Sequence, residues 1–467
     1  MGRFKYLILS VETHTMGTDN TKAALELGTK PIGKLLVQYA TPAIIAMMAS
    51  SLYNTVDCIF IGHGVGPLGV SGLALTFPLM NLSAAIGAAV GVGSSTYISV
   101  KLGQKDYKTA QRIFGNSVSL NIVLGIIFGA AFLVFLDPML YFFGASDNTI
   151  PYARAYLIMI MVGNPITHLY FGLNNTLRAI GKPRQAMYAT VFTVLFNTAL
   201  DPIFIYALGM GIQGASTATI LSQTVAMLWQ VKIFSGQNEL VHFKRGIYGL
   251  RAELVKNIIG IGMSPFCMNA CACIVGVFLN TSLAKYGGDF AVGAYGIGNK
   301  VAFIFLMVVM GINQGMQPIA GYNYGAGHTV RLMKVVKLAM AAATTVTTIA
   351  FLIGEFCPYP LARMFTDDPE LTRLSIHAIR MMVLAFPVVG FQMVTTNFFQ
   401  SIGKVKISIF LGLSRQMIFL IPLIVILPLF FGIDGVWASL PLSDAITAIT
   451  AGVIMTIFMR KFKKQAQ

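Results

Sequence analysis

The stretch LRAIGKPR, residues 177–184, has a counterpart 222 positions later in FQSIGKVK, residues 399–406. Gly181 and Lys182 thereby align with Gly403 and Lys404. Other glycines and prolines keep this spacing to within one residue: Pro165 and Pro387, Gly93 and Gly315, Gly103 and Gly325, Pro42 and Pro265, and Gly214 and Gly435. Helix-breaking residues kept in step across two halves indicate an internal repeat.

The composition is that of a membrane protein. Of 467 residues, 56% are hydrophobic and only 11% are charged, and the mean hydropathy is +0.73; soluble domains carry about 25% charged residues. Two similar apolar lobes usually hold a substrate path between them and move against each other, so we expect a transporter. The net charge of +16 does not indicate nucleic-acid binding, because no basic patch alternates with exposed aromatic residues.

Twelve apolar runs are long enough to cross about 30 Å of hydrocarbon. The predicted spans are 35–60, 71–100, 112–136, 152–178, 185–209, 213–234, 254–284, 291–323, 331–356, 374–402, 407–431 and 435–459. They predict an all-α polytopic membrane protein of two six-helix lobes. The predicted parts are a leader (1–30), an N-lobe (31–234), a linker (235–253), a C-lobe (254–460) and a tail (461–467).

The distribution of charge predicts the orientation. The N-terminus and one set of loops carry 27 of the 33 Lys and Arg residues, the opposite side carries five, and Lys300 falls within a span. Basic loops face the cytoplasm, so both termini are expected there. Six spans per lobe then make the two lobes run in the same direction, as a parallel repeat about an axis along the membrane normal.

Ionisable groups within the predicted spans are functional candidates because they are costly to bury in hydrocarbon. Asp57 lies near the outer end of segment 1, and Asp201 about two turns from the outer end of segment 5. Asn197 is one turn from Asp201, and Pro202 deprives the Thr198 carbonyl of its helical partner. Thr219 of segment 6, and Asn174 or Asn175 of segment 4, are expected to complete this cluster.

Two acids and several neutral oxygens at one depth predict a site for a proton or a sodium ion. Burial disfavours the charged form of a carboxyl group, so a buried pair can exchange protons. Oxygen ligands also suit a hard cation, which makes Na⁺ a candidate at Asp57, Asn197 and Asp201. The alternative is that the acids only cap or brace a bent helix.

Other polar residues within the spans have two interpretations each. Asp444, Lys300 and Arg415 of the second half are expected to form an internal ion pair or to contact substrate. His168, in the middle of segment 4, is either a proton relay or a hydrogen-bonded packing residue. Tyr53, one turn before Asp57, is a candidate for the substrate cavity.

The sequence offers no sign of an enzyme. No GxxxxGK[ST] phosphate loop, HExxH or GxSxG motif occurs, and the outer loops are too short for a catalytic domain. The five cysteines lie in or beside apolar segments; Cys267 and Cys271 share a helix face, but packing is favoured over binding of a soft metal. We therefore expect no cofactor beyond a coupling ion.

Four stretches together resemble the multidrug and toxic compound extrusion (MATE) family, on its DinF/MepA-like side. They are TPAIIAMMASSLYNTVDCIFIGH (Thr41–His63), LRAIGKPR (Leu177–Arg184), NTALDPIFI (Asn197–Ile205) and GINQGMQPIAGYNYGAG (Gly311–Gly327). The resemblance covers nearly the whole chain from about Pro31. It implies a V-shaped bundle and an antiporter that expels amphipathic, often cationic, drugs by alternating access between two lobes.

The resemblance also implies a location for the coupling site. The family's segment 1 acid falls on Asp57, its segment 5 residues on Asn197 and Asp201, and its segment 6 Thr on Thr219; its segment 4 Asn is either Asn174 or Asn175. The NorM-like branch instead has acids in segments 7 and 10. Segment 7 here offers Ser264, Cys267, Asn269 and Cys271, and segment 10 offers no carboxylate beyond its outer end, which favours coupling through the N-lobe.

The expected function is therefore secondary active multidrug efflux by antiport with H⁺ or Na⁺, in the bacterial inner membrane and as a monomer. Its expected partners are small amphipathic compounds and the lipid bilayer. The nearest alternative is a related flippase for a lipid-linked oligosaccharide, which favours a strongly cationic central cavity. A major-facilitator transporter lacks support because no GxxxDRxGRR-like loop follows segment 2. A membrane enzyme or a scaffold leaves the paired acids unexplained.

Overall fold

The computed structural model describes residues 26–236 and 239–466. All regular structure within these residues is helical, as predicted. Most of the predicted leader and the last residue of the predicted tail lie outside the described residues.

Eight helices and one π-helical turn build the first half. The helices are α1 (Ile32–Gly64), α2 (Pro67–Gly103), α3 (Tyr107–Val134), α4 (Leu136–Phe142), α5 (Ile150–Val162), α6 (Asn164–Ala179), α7 (Pro183–Pro202) and α8 (Ile212–Ser235). The π-helical turn Ile203–Ala207 continues α7.

Seven helices and a second π-helical turn build the other half. The helices are α9 (Ala252–Gly325), α10 (Thr329–Phe356), α11 (Pro358–Arg363), α12 (Pro369–Val383), α13 (Phe386–Ser401), α14 (Val405–Leu413) and α15 (Ile421–Ala466). The turn Ser414–Leu420 joins α14 to α15. Helices α9 and α15 each break once, at Gly288 (φ 69°) and Gly432 (φ 56°), where glycine tolerates a positive φ.

The described helices account for the predicted spans. Seven helical stretches are each long and apolar enough to cross a membrane, and the pairs α5–α6 and α12–α13 each make one further bent span. Dividing the long stretches at Gly288 and Gly432, and adding the 24-residue α8, gives twelve segments in the described part of the chain.

The internal repeat is confirmed by the positions of the bends. Helices α5 and α6 meet at 55°, and α12 and α13 meet at 49°. Pro165 and Pro387 each lie in the first turn after the bend, where a missing N–H costs no helical hydrogen bond. Gly181 and Gly403 both have positive φ, 94° and 72°. Repeat-related residues therefore have the same structural task in both lobes.

The lobes meet along a seam of glycines at the end that carries most of the Lys and Arg residues, here called the basic end. A Cβ atom on Gly103 would lie 2.1 Å from the Tyr322 carbonyl oxygen, and one on Gly325 would lie 2.0 Å from the Val100 carbonyl oxygen. These two contacts exchange with each other under the 222-residue shift. The seam therefore has the pseudo-twofold symmetry that a parallel repeat requires.

The hydrophobic cores show how the lobes diverge. One core joins both lobes at the basic end and includes Leu35 and Ile98 with Ile312 and Ile319. Away from the basic end the cores are separate: one contains N-lobe residues such as Leu157, and others contain C-lobe residues such as Trp437. Joined at one end and separate at the other, the lobes form the predicted V-shaped bundle.

Polar contacts reinforce the seam at the basic end. Gln317 donates from Nε2 to Thr96 Oγ1 over 2.6 Å, and the Arg178 guanidinium donates to the Gln314 side-chain oxygen. Arg331 of α10 donates from Nη2 to the Lys30 carbonyl oxygen over 2.6 Å. These hydrogen bonds bind one lobe to the other where the cleft is closed.

The segment between α8 and α9 packs along α3 of the N-lobe. Asn116 Oδ1 accepts the Arg251 N–H at 2.8 Å, and its Nδ2 donates to the Ile247 carbonyl at 3.3 Å. The Phe114 ring lies 5.1 Å from that of Phe243, between ring centroids. The inter-lobe connection is therefore held on one lobe.

Candidate functional site

A buried polar cluster, here called the carboxylate cluster, lies between four helices of the N-lobe. Helices α1, α5, α7 and α8 contribute to it, in the half of the lobe away from the basic end. Its members are Tyr53, Asp57, Tyr156, Asn197, Asp201 and Thr219.

Helical periodicity explains how α1 and α7 present two members each. Tyr53 and Asp57 are four residues apart, as are Asn197 and Asp201, so each pair lies on one helix face. Pro202 ends the regular part of α7, and Leu208 then donates its N–H to the Ile203 carbonyl, five residues back, at 2.9 Å. Such π-helical turns are frequent at functional sites.

The two carboxyl groups are buried next to each other. Asp57 is 4% exposed and Asp201 is fully buried. Their side chains lie close enough to interact directly. Two like charges at such a distance are costly, so the pair is suited to sharing a proton or a small cation.

The neutral members form hydrogen bonds with one another and with Asp201. Thr219 Oγ1 lies 3.0 Å from the Ala215 carbonyl oxygen of its own helix and 2.7 Å from the Tyr53 hydroxyl oxygen. Asn197 Nδ2 donates to Asp201 Oδ1 at 3.3 Å and to Thr219 Oγ1 at 3.4 Å. Both recorded donations of the Asn197 amide therefore go to Thr219 and to one oxygen of Asp201.

Three buried oxygens of the cluster lack a donor. Asp57 Oδ1, Asn197 Oδ1 and Asp201 Oδ2 have no hydrogen-bond partner among the described residues. A buried acceptor without a partner is costly. A proton on the carboxyl pair, or a hard cation coordinated by these oxygens, removes that cost. The geometry thus fits a site that takes up H⁺ or Na⁺.

Tyr156 of α5 was missed by reasoning from the sequence. It is 1% exposed, lies within hydrogen-bonding reach of Thr219 and faces both carboxyl groups. In the sequence it is one of 17 tyrosines, within an ordinary apolar run. No local signal distinguishes it, since its role depends on the bend that separates α5 from α6.

Asn174 and Asn175 do not join the carboxylate cluster, which corrects the prediction for segment 4. Asn174 Nδ2 donates to the Ala186 carbonyl at 2.9 Å, near the start of α7, and its Oδ1 accepts from Arg178. Asn175 Nδ2 donates to the Phe171 carbonyl of its own helix at 2.9 Å. Both amides lie toward the basic end, about four turns from Asp201 along α7.

His168 is placed in a separate buried network. Its Nε2 lies 3.0 Å from the Ser83 carbonyl oxygen, which can only accept, so this nitrogen carries the hydrogen. The Ser83 hydroxyl donates to Asn164 Oδ1 at 2.6 Å. The His168 ring also packs on Gly87: a Cβ atom on Gly87 would lie 2.8 Å from His168 Cδ2. These contacts favour the packing role over the proton relay.

The C-lobe has an ion pair of two residues rather than three. Arg415 Nε lies 2.6 Å from Asp444 Oδ1, and the Asp444 side chain is 8% exposed. Lys300 does not take part: it is exposed, and its ammonium lies 5.8 Å from the centre of the Phe365 ring. The prediction of one acid with two bases is corrected to one acid with one base.

No group of three or more His, Cys, Asp or Glu residues that could hold a metal ion occurs in residues 26–236 and 239–466. The five cysteines are all free, and Cys271 is buried while Cys273 is exposed. The soft-metal alternative for Cys267 and Cys271 therefore gains no support from the geometry. The carboxylate cluster, with oxygen donors from carboxyl, amide and hydroxyl groups, is the candidate site.

Comparisons with known proteins agree with the fold. The chain is 27% identical over 424 residues to "Multidrug export protein MepA" of Staphylococcus haemolyticus, covering 91% of this chain and 93% of the relative. It is 28% identical over 428 residues to the protein of the same name from Staphylococcus aureus, covering 91% and 94%. A solved structure described as the outward-facing conformation of a multidrug resistance MATE family transporter matches at a TM-score of 0.88 and 25% identity, covering 96% of this chain and 99% of that one.

The family comparison repeats the internal symmetry. The MatE family model matches twice, over residues 42–203 and 265–426, once in each lobe. The two matches begin 223 residues apart, which is the repeat spacing to within one residue. Asp57 and Asp201 both fall within the first match. The chain belongs to the MatE (multidrug and toxic compound extrusion) family.

Proposed function

We propose that this chain is a secondary active multidrug efflux transporter that exports amphipathic, often cationic, compounds in exchange for H⁺ or Na⁺. Relatives matched over nine-tenths of both chains bear the name "Multidrug export protein". The chain needs no catalytic centre for this activity, since the ion gradient supplies the free energy. One charge that crosses 100 mV contributes about 2.3 kcal/mol.

One observation carries the proposal: two carboxyl groups are buried side by side with unpartnered oxygens in a lobe that packs on its neighbour at one end only. Asp57 and Asp201 cost free energy in this state unless a cation is bound. The pair lies on two adjacent helices, α1 and α7. Cation binding between these helices can therefore favour one packing of them over another.

Coupling follows when the two ligands prefer different arrangements of the lobes. The cation binds between α1, α7 and α8, and α1 also packs against the C-lobe at the glycine seam, where a Cβ on Gly315 would lie 2.5 Å from Ala40 N. Movement of α1 on cation binding therefore reaches the seam directly. Drug in the cleft between the lobes favours the other arrangement, and alternation between the two carries it across.

The cluster can bind either ion, through different residues. A proton is shared by the carboxyl groups of Asp57 and Asp201. A sodium ion is held by the carboxylate oxygens together with Asn197 Oδ1, in keeping with the preference of hard cations for oxygen. The other members, Tyr53, Tyr156 and Thr219, then position the acids and exclude water.

We place the basic end of the molecule in the cytoplasm and the protein in the bacterial inner membrane. This placement rests on the charge distribution of the sequence, in which the N-terminus and one set of loops carry 27 of the 33 Lys and Arg residues. Both termini are then cytoplasmic, and the cleft between the lobes opens to the outside. A single chain contains both lobes, so we propose that it functions as a monomer.

Transport in proteoliposomes tests the proposal. The purified chain is reconstituted, a pH gradient or a sodium gradient is imposed, and movement of a fluorescent cationic dye is measured. Asp57→Asn and Asp201→Asn keep the shape of each side chain but remove its charge, so both should abolish gradient-driven dye transport. Asp367→Asn, at a carboxylate whose side chain is 99% exposed, is the matched control and should transport as the native protein does.

The two gradients separate the ions. A proton-coupled transporter responds to the pH gradient in sodium-free buffer, and a sodium-coupled one does not. Native transport rates in both Asp57→Asn and Asp201→Asn would show that the carboxylate cluster is not the coupling site. Dye movement that needs no gradient of either ion would refute antiport itself.

A further inference from the structure

A second feature of the molecule is a basic groove at the basic end, between the first turns of α1 and α7. Its volume is about 780 Å³. The residues used below to describe it are Lys30, Lys34, Val37, Lys182, Arg184 and Gln185. The carboxylate cluster lies near the other ends of these two helices, so the groove is a separate site.

The groove has more positive charge than its neighbours neutralise. No acidic residue is among the described residues that line it. Lys30 pairs with Glu26 at 2.6 Å, and Lys182 pairs with Glu239. Lys34 and Arg184 are exposed and form no ion pair with any described residue. Two cations therefore remain for an outside anion.

Gln185 adds an unused polar group to the wall of the groove. Its Oε1 is buried and has no hydrogen-bond partner among the described residues. A side-chain amide offers both donors and an acceptor. It therefore matches a ligand that carries phosphate oxygens next to hydroxyl groups.

An apolar strip leads from the groove along both helices toward the opposite end. On α1 it consists of Val37, Ile45, Met48 and Leu52, which are between 44% and 65% exposed. On α7 it consists of Tyr188, Phe192 and Leu195, between 42% and 65% exposed. Their spacing of three, four or eight residues keeps each set on one helix face. Because both helices span the membrane, an exposed apolar face of this kind offers a surface for acyl chains.

We propose that the groove binds the headgroup of an anionic phospholipid of the phosphatidylglycerol type. The phosphate lies between Lys34 and Arg184, where an ammonium and a guanidinium bind it by charge-assisted hydrogen bonds. The headgroup hydroxyls reach Gln185, and the acyl chains lie on the strip that begins at Val37. Basic pockets between transmembrane helices bind anionic headgroups in this way. The apolar strip favours a lipid over a soluble phosphate.

Lipid binding to the purified full-length chain tests the proposal. Native mass spectrometry measures the retention of phosphatidylglycerol and of phosphatidylcholine with the same acyl chains. The variant Lys34→Gln/Arg184→Gln removes the two unpaired cations. Each charge lost should weaken phosphatidylglycerol binding about five-fold, and the pair about 30-fold. Phosphatidylcholine retention should not change.

Lys334→Gln/Lys337→Gln is the matched control, because it removes the same charge from exposed positions of α10. It should retain phosphatidylglycerol as the native chain does. An equal loss in both variants would mean a diffuse charge effect and would overturn the site, as would no loss in the groove variant. If glycerol 1-phosphate competed with an affinity equal to that of phosphatidylglycerol, the ligand would be a soluble anion and the lipid proposal would be wrong.

A second measurement does not depend on removing charge. Val37→Trp places an indole at the start of the apolar strip, and brominated phosphatidylglycerol quenches a nearby indole. Quenching should exceed that by brominated phosphatidylcholine, and the excess should vanish when Lys34→Gln/Arg184→Gln is added. Equal quenching by the two lipids would contradict the proposal.

Discussion

Gly262→Ala tests whether the glycine seam keeps the basic end closed. A Cβ atom on Gly262 of α9 would lie 2.0 Å from the carbonyl oxygen of Ala89 in α2, and 2.8 Å from its Cα. These are backbone atoms, which cannot rotate away. Carbon and oxygen make ordinary contact at about 3.3 Å, so the two backbones must separate by roughly 1.3 Å.

The cost of this contact falls on the closed arrangement alone. Overpacking of a well-packed interface costs about 1–3 kcal/mol. If the lobes separate at the basic end in the other transport state, the added Cβ makes no such contact there. The population of that state relative to the closed one should then rise about 5- to 150-fold. Gly260→Ala is the matched control two residues away, because its added Cβ meets no atom of the described residues within 4 Å. Both variants gain the same helix propensity, which therefore cancels in the comparison.

Labelling of a reporter cysteine measures the population. Ser99 is 1% exposed and faces Gly321 across the seam, so Ser99→Cys reports separation of the lobes when the five native cysteines are replaced by alanine. Its rate of reaction with a water-soluble maleimide follows the open fraction when opening is fast. We expect a rise for Gly262→Ala and no change beyond about two-fold for Gly260→Ala. Equal rates in the two variants, with both folded, would refute the closed seam.

Three further predictions concern single polar groups. Asp444→Ala leaves Arg415 without its partner and should lower the free energy of unfolding, by less than the about 3–5 kcal/mol of a fully buried pair because Arg415 is 29% exposed; thermal unfolding measures this, and Arg415→Met in addition should recover part of the loss. Tyr156→Phe should reduce gradient-driven dye transport while costing about 1 kcal/mol of stability, and unchanged transport would exclude the hydroxyl from the coupling site. Asp106 caps α3, and the hydrogen bonds from Thr109 hold the pKa of its carboxyl below the ordinary value. Asp106→Ala should cost about 1 kcal/mol at neutral pH. Because the folded-state pKa is lowered, this contribution is present above the ordinary carboxyl pKa and is lost as the pH falls through the lowered one; thermal unfolding at several pH values checks the sign.

The architecture could be predicted from the amino-acid sequence alone. A segment that crosses hydrocarbon has to satisfy its own backbone hydrogen bonds, so a run of about 20 apolar residues implies a helix without knowledge of its neighbours. Proline and glycine act locally on the backbone, and the bends at Pro165 and Pro387 were therefore visible as a spacing of 222 residues. The placement of Asp57 near Asp201 also followed, since both acids sit at similar depth in one lobe.

Which side chains meet depends on how the helices pack against one another. Each residue turns the side chain by about 100° around a helix, and the rotation of a helix depends on everything packed against it. For that reason Tyr156 joins the carboxylate cluster and Asn174 does not, although both lie in segment 4. The predicted spans place Lys300 and Asp444 at a similar depth in the membrane, but Asp444 pairs with Arg415 and Lys300 lies over the Phe365 ring. The contact of glycine with a carbonyl across the seam exists only once two lobes are packed, because it joins atoms that no local pattern relates.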